Sequence, residues 1–156
     1  MGQADTFDVL RATEPGVDRQ SILCRRHNTA TTVGGGEFYY DADDTTTEDN
    51  SCTVVVTAGG ARWKRKNVGD EIHMEWAGAR TAEYTDEAQD EAFENCLKAA
   101  AAGSSQGYPC RRIVAPMFGK IRLKERYYCR GGVYPLSTGA GVVTEPLNGK
   151  FGIDGH

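Results

Sequence analysis

Thr53-Val54-Val55-Val56-Thr57 is β-branched at every position. Branching at Cβ suits a pleated, half-buried surface and disfavours a helix, so the stretch predicts a strand. Ala58-Gly59-Gly60 follows as a turn, and Arg62-Trp63-Lys64-Arg65 carries the return. Val54, Val56 and Trp63 are therefore expected in the core of a small β unit. Upstream, Glu37-Phe38-Tyr39-Tyr40-Asp41 reads as a second strand with Phe38 and Tyr40 on one face, because strand side chains alternate. Ser21-Ile22-Leu23-Cys24 is a third. Gly34-Gly35-Gly36 reads as a turn. A phosphate cradle would need a helix directly after the glycines, and an aromatic strand follows instead. Residues 41–51 are almost all Asp, Thr, Asn and Ser, which predicts a loop.

The rest of the chain has a different texture. Ile72 to Trp76 predicts a short strand. Residues 86–102 predict the one strong helix, with Thr85 as N-cap, Asp86 and Glu87 in the first turn and Gly103 as the stop. Its apolar face is Ala88, Ala92, Phe93, Cys96 and Leu97; Asp90, Glu91, Glu94 and Lys98 are expected on the solvent face. Short β runs return at Ile113-Val114-Ala115, Lys120 to Lys124, Tyr127 to Cys129, Gly141 to Val143 and Phe151 to Ile153. Such runs between turns suggest a solenoid of strands. The expected fold is mainly β, in three parts: an arm over 1–20, a small β module over 21–66, and a helix with the start of a solenoid over 67–156.

Composition excludes several classes. The 156 residues carry 18 basic and 22 acidic side chains, and no apolar run is long enough for a membrane span. Charge is uneven: residues 1–66 hold 8 basic and 10 acidic, 67–104 hold 2 and 9, and 105–156 hold 8 and 3. The three stretches read as physically different units. The start, Met1 to Asp5, lacks a basic and apolar leader, so no secretory signal is expected. Five scattered cysteines with no C-x-x-C argue for reduced, mostly buried thiols rather than a zinc site or disulfides. Cys24 and His27 stand three apart, with no further ligand or orienting acid. Arg62-Trp63-Lys64-Arg65-Lys66 mixes basic and aromatic residues as nucleic-acid surfaces do; in an acidic chain, solvated cations around a structural Trp explain it better. No catalytic residue, metal or cofactor is expected, nor binding to nucleic acid or a membrane.

Two ordered sets of residues carry a resemblance. Leu10 to Pro15, Gly34 to Asp41, Asp49-Asn50, Thr53 to Gly60 and Arg62 to Arg65 resemble the small N-terminal module of bacteriophage tailspikes and tail fibres. Glu75-Trp76-Ala77-Gly78-Ala79, Thr85-Asp86-Glu87 with its helix, and Ile113-Val114-Ala115-Pro116 are similar to the opening of a pectate-lyase-like right-handed parallel β-helix. Ala77 replaces that family's aromatic, and Arg80 to Tyr84 replaces its Gly-Asp-Gly turn.

The resemblance implies a homotrimeric virion structural protein, assembled in the host cytoplasm, that attaches a spike to the tail or baseplate. It implies a helix capping the first coils, and a C-terminally incomplete body that would meet host surface polysaccharide. Phe7, Leu10 and Arg11 become candidates for virion docking. A fragment of a polysaccharide depolymerase and a self-contained carbohydrate-binding β module, with Tyr39, Tyr127, Tyr128 and Tyr134 as its patch, stand as alternatives.

Overall fold

The strand at Val54–Val56 begins where Asn50 folds beneath it. The Asn50 Oδ1 accepts the N–H groups of Cys52, Thr53 and Val54 at 3.1, 2.8 and 2.9 Å. Three donors on one amide oxygen turn the acidic loop into the sheet without help from glycine. The computed structural model describes residues 1–79, 86–105, 112–114 and 134–136. In these the strands are β1 (Gly2–Ala4), β2 (Ser21–Arg26), β3 (Gly34–Tyr40), β4 (Val54–Val56), β5 (Arg62–Arg65), β6 (Glu71–His73), β7 (Arg112–Val114) and β8 (Tyr134–Leu136). The helices are α1 (Phe7–Arg11) and α2 (Asp86–Ser105), with a 3-10 turn at Met74–Ala77.

The first sheet runs β1-β2-β3-β5-β4. The pairings β2-β3, β3-β5 and β5-β4 are antiparallel, and β1 joins β2 in parallel. Register decides its core. Ile22 stands opposite Phe38, Phe38 opposite Arg65, Tyr40 opposite Trp63, and Trp63 opposite Val55. These residues share one face, which packs against Phe7 and Leu10 of α1. Phe7 meets Phe38 edge-on at 5.5 Å, a favourable arrangement for two ring quadrupoles.

Four expectations change here. The core contains Val55; Val54 is buried on the opposite face and Val56 is only partly buried. A run with no alternation cannot reveal its own phase, and the cross-strand register sets it. Gly34-Gly35-Gly36 is the first half of β3 rather than a turn. Residues 1–20 are not a separate arm: β1 extends the sheet, and Phe7 and Leu10 are 1% and 0% exposed. The fourth change is at Met74, where the strand expected through Trp76 gives way to the 3-10 turn, whose Met74 and Ala77 are both buried.

The second sheet is parallel, in the order β6-β7-β8. Ile72 pairs with Ile113, and Ile113 with Pro135. Ala92, Phe93, Cys96, Ala99 and Ala100 of α2 bury against Ile72, Met74, Ile113 and Cys52, with Leu97 partly buried beside them. Ala88 is only partly buried. Glu91, Glu94 and Lys98 are exposed as expected, whereas Asp90 is buried along with Gln89 and Asn95. The helix is thus covered over a wider arc than its apolar stripe indicates. It also runs through Gly103 to Ser105 instead of stopping there. Thr85, the strands proposed at 120–124, 127–129, 141–143 and 151–153, and the side chains of Tyr127 and Tyr128 lie outside the described residues.

Truncating a fully buried side chain removes its transfer energy and leaves a cavity. Leu10→Ala is expected to cost about 2–5 kcal/mol in a urea titration. Val9→Ala, one position away on the exposed side, should stay within about 0.5 kcal/mol. Equal effects would show that α1 is not seated as described.

Candidate functional site

Arg65 closes β5 facing inward, and it is 7% exposed. Among the described residues no carboxylate is bonded to it. Its Nε donates to the carbonyl of Cys52 at 3.0 Å, Nη1 to that of Gly35 at 2.6 Å and Nη2 to that of Gly34 at 2.7 Å. The guanidinium lies over the Phe38 ring at 4.8 Å and the Trp76 ring at 4.7 Å. Phe38 belongs to the first sheet and Trp76 to the turn that leads from the second. One planar cation therefore ties both units together, through three carbonyl dipoles and two π-faces. Burial pulls its pKa down to about 10, so it stays charged at neutral pH.

The glycine run explains how the cation fits. A Cβ on Gly36 would stand in contact with Nη1 of Arg65. The run is a cradle, but one of carbonyl oxygens for a guanidinium rather than of N–H groups for a phosphate. The expectation that Arg65 is a solvated neighbour of Trp63 is overturned: strand alternation puts Trp63 and Arg65 on the same inward face. Trp63 itself satisfies its Nε1–H on the carbonyl of Thr13 at 2.8 Å.

Several polar loop residues of the module are tied down. Arg11 donates to Asp49 at 2.9 and 3.1 Å and to Ser51 at 2.6 Å. Burial opposes the Asp49 charge, yet donation from Arg11 and from the Val56 N–H outweighs it and holds the carboxyl below its usual range. Glu14 accepts from the Thr57 hydroxyl and the Gly59 N–H, both at 2.7 Å. Lys64 bridges Asp41 at 2.8 Å and Asp44 at 2.7 Å. The three docking candidates all make contacts within the module. Phe7 and Leu10 are core, and Arg11 braces the acidic loop against α1. A partner cannot reach the first two.

Other candidates do not assemble. Cys24 Sγ points to the Arg26 carbonyl and His27 Nε2 to that of Ser51, so the two do not pair. Cys24, Cys52 and Cys96 are buried, while Cys110 and Cys129 lie outside the described residues. Among the described residues no cluster of three or more His, Cys, Asp or Glu could hold a metal ion, and no helix is long and apolar enough to cross a membrane. Of the tyrosine patch, Tyr39 lies beneath Arg19, with the cation 5.3 Å from the ring centre.

Residues 3–68 match the family described as phage tail protein small four-stranded β-sheet domain. The chain is similar to full-length tailspike protein 2 of the Escherichia coli O157:H7 bacteriophage CAB120, with 27% identity over 86% of this chain and a TM-score of 0.64. It is similar to the tailspike protein of Acinetobacter baumannii phage AM24, with 28% identity over 76% of this chain and a TM-score of 0.58. The N-terminal unit is a phage tailspike module. Its role is structural, in the virion tail.

The four antiparallel strands of the tailspike module are β2-β3-β5-β4, with β1 added at the edge. A third likeness, at 20% identity over 78% of this chain and TM-score 0.58, is of fold alone: Pantoea stewartii WceF, a glycan biofilm modifying enzyme with a tailspike-like parallel β-helix fold. The chain spans only 16%, 18% and 17% of these three proteins. None of the curated proteins matches it.

Lysine keeps the charge of Arg65 but cannot reach three carbonyls while lying flat between two rings. Arg65→Lys is expected to lower the urea midpoint, by on the order of 2 kcal/mol for the carbonyls left unpaired. An unchanged midpoint would show that charge alone suffices.

Proposed function

We propose that this chain is the virion-proximal part of a homotrimeric tailspike. The tailspike module attaches the spike to tail or baseplate proteins, and α2 caps the first coils of a right-handed parallel β-helix. The body beyond would meet host surface polysaccharide.

One observation carries this reading. Ile113 and Pro135 are register partners 22 positions apart, and Ile72 and Ile113 are partners 41 apart. The longer interval exceeds the shorter by nearly the 20 residues of α2. The spacing is that of a regular coil with a helix inserted in its first turn. A strand leading to a parallel neighbour through such a crossover is right-handed in nearly all cases. An open end of such a stack exposes apolar side chains and unpaired backbone groups, and the apolar face of α2, packed on Ile72 and Ile113, supports a capping role. Few coils make a marginal core, and association into a trimer would complete it.

Light scattering of the chain at micromolar concentration is expected to give the mass of three chains; a single chain's mass overturns the trimer. Leu97→Asp, on the capping face, should promote aggregation by uncovering the coil end. An unchanged melting curve would reject the capping role.

A further inference from the structure

His27 follows β2 directly, on the side where the two sheets meet. Its ring lies 4.6 Å from that of Phe7. Nε2 is 3.1 Å from the Ser51 carbonyl, which can only accept, so the proton sits on Nε2. Nδ1 is 3.2 Å from Nδ2 of Asn28. The Asn28 amide is oriented by its own Oδ1, which accepts the Ala30 N–H at 2.9 Å. Nδ1 therefore faces a donor and must accept. The remaining side is closed by Gly78, which ends the 3-10 turn at φ 87°. A Cβ there would stand 2.5 Å from Nδ1. Only glycine both adopts this backbone and leaves room for the ring.

The charges around the ring do not welcome another cation. Arg11 from α1 and Arg65 from β5 lie near it, against Asp8 of α1. Asp49 is committed to Arg11. Arg26, the preceding residue, is held by Asp5 at 2.5 Å. Glu75 of the 3-10 turn presents its backbone oxygen to Gly34 beside the ring.

We propose that His27 is an acid-sensitive latch in the joint, which neutral imidazole closes and imidazolium loosens. Acidification adds one proton to Nδ1. Two donors then face each other, unless the Asn28 amide turns over and gives up the Ala30 N–H. The first outcome pushes the ring against the Gly78 turn, which seats the second unit on the tailspike module; the second gives His27 an acceptor but breaks the Asn28–Ala30 turn beside it. Burial lowers the pKa of the ring, the Ser51 carbonyl opposes this, and Arg11 and Arg65 lower it further. The folded chain thus binds this proton less readily than the unfolded chain. Stability is complete above the unfolded value of about 6.5 and falls as the pH drops from there towards the folded value. The latch depends on the joint alone, not on the trimer or the β-helix.

The test is urea unfolding of the full chain, followed by tryptophan fluorescence at one fixed concentration, between about pH 7.5 and about pH 5.5. The folding constant of the wild type is expected to fall several-fold more than that of His27→Gln. In NMR the His27 imidazole should titrate below its ordinary value. Parallel pH dependence of the two proteins, or an ordinary or raised His27 titration, overturns the latch. If His27→Gln does not fold, Asn28→Asp serves. It sets an acceptor beside Nδ1 and should raise the titration of the ring and flatten the acid loss. An unchanged slope in Asn28→Asp also overturns the proposal.

Discussion

The buried guanidinium of Arg65 is the constraint on which the rest depends. A cation removed from water costs several kcal/mol unless its donors are met. Here carbonyls from β3 and from the Asn50 turn meet them, and two aromatic faces close the plane. That solution needs side-chain-free backbone along Gly34-Gly35-Gly36, an inward-facing end to β5, and Trp76 placed over the cation. The requirement fixes the glycine run, the strand register and the position of the 3-10 turn together. A carboxylate in the same place would have satisfied the charge without binding the second unit to the first.

This joint gives the tailspike module its mechanical character. Cys52, from the first sheet's loop, is buried in the same cluster as Ile72, Phe93 and Ile113 of the second unit. Gly78 leaves room for the His27 ring, and Gly34 for His27 and the Glu75 carbonyl. Packed side chains and a desolvated cation join the two units. The polar loops of the module are held by short hydrogen bonds in which Glu14 and Asp49 accept and Lys64 donates, so they too are preorganised. Preorganisation reduces the entropy lost when a partner docks. It suits a part whose proposed role is attachment.

Local signals in the chain were strong where a single period or residue type suffices. The β-branched run contains the strand Val54–Val56, Phe38 and Tyr40 share the inward side of β3, and the helix around Phe93 and Cys96 packs as its spacing requires. Signals failed where two elements compete for one residue. The glycines read as a turn because nothing local announces a guanidinium arriving from thirty residues away. Phe7 and Leu10 read as part of an arm because a helix of five residues gives too little periodicity to betray a buried face. Asp90 read as exposed because apolar spacing reports only the apolar arc.

The sequence by itself determined the order of the units, the β character of the first and the helix that opens the second. Propensity and alternation are local, and they survive in any context. It also carried the tailspike resemblance, because that rests on residue types in order. Tertiary structure alone decided which valine of β4 enters the core, that Arg65 is inside, and that His27 is shut against Gly78. Each of these depends on what stands opposite across a sheet or a joint. Whether a buried polar group is stabilising is settled by its partners, and those are assembled only when the chain folds.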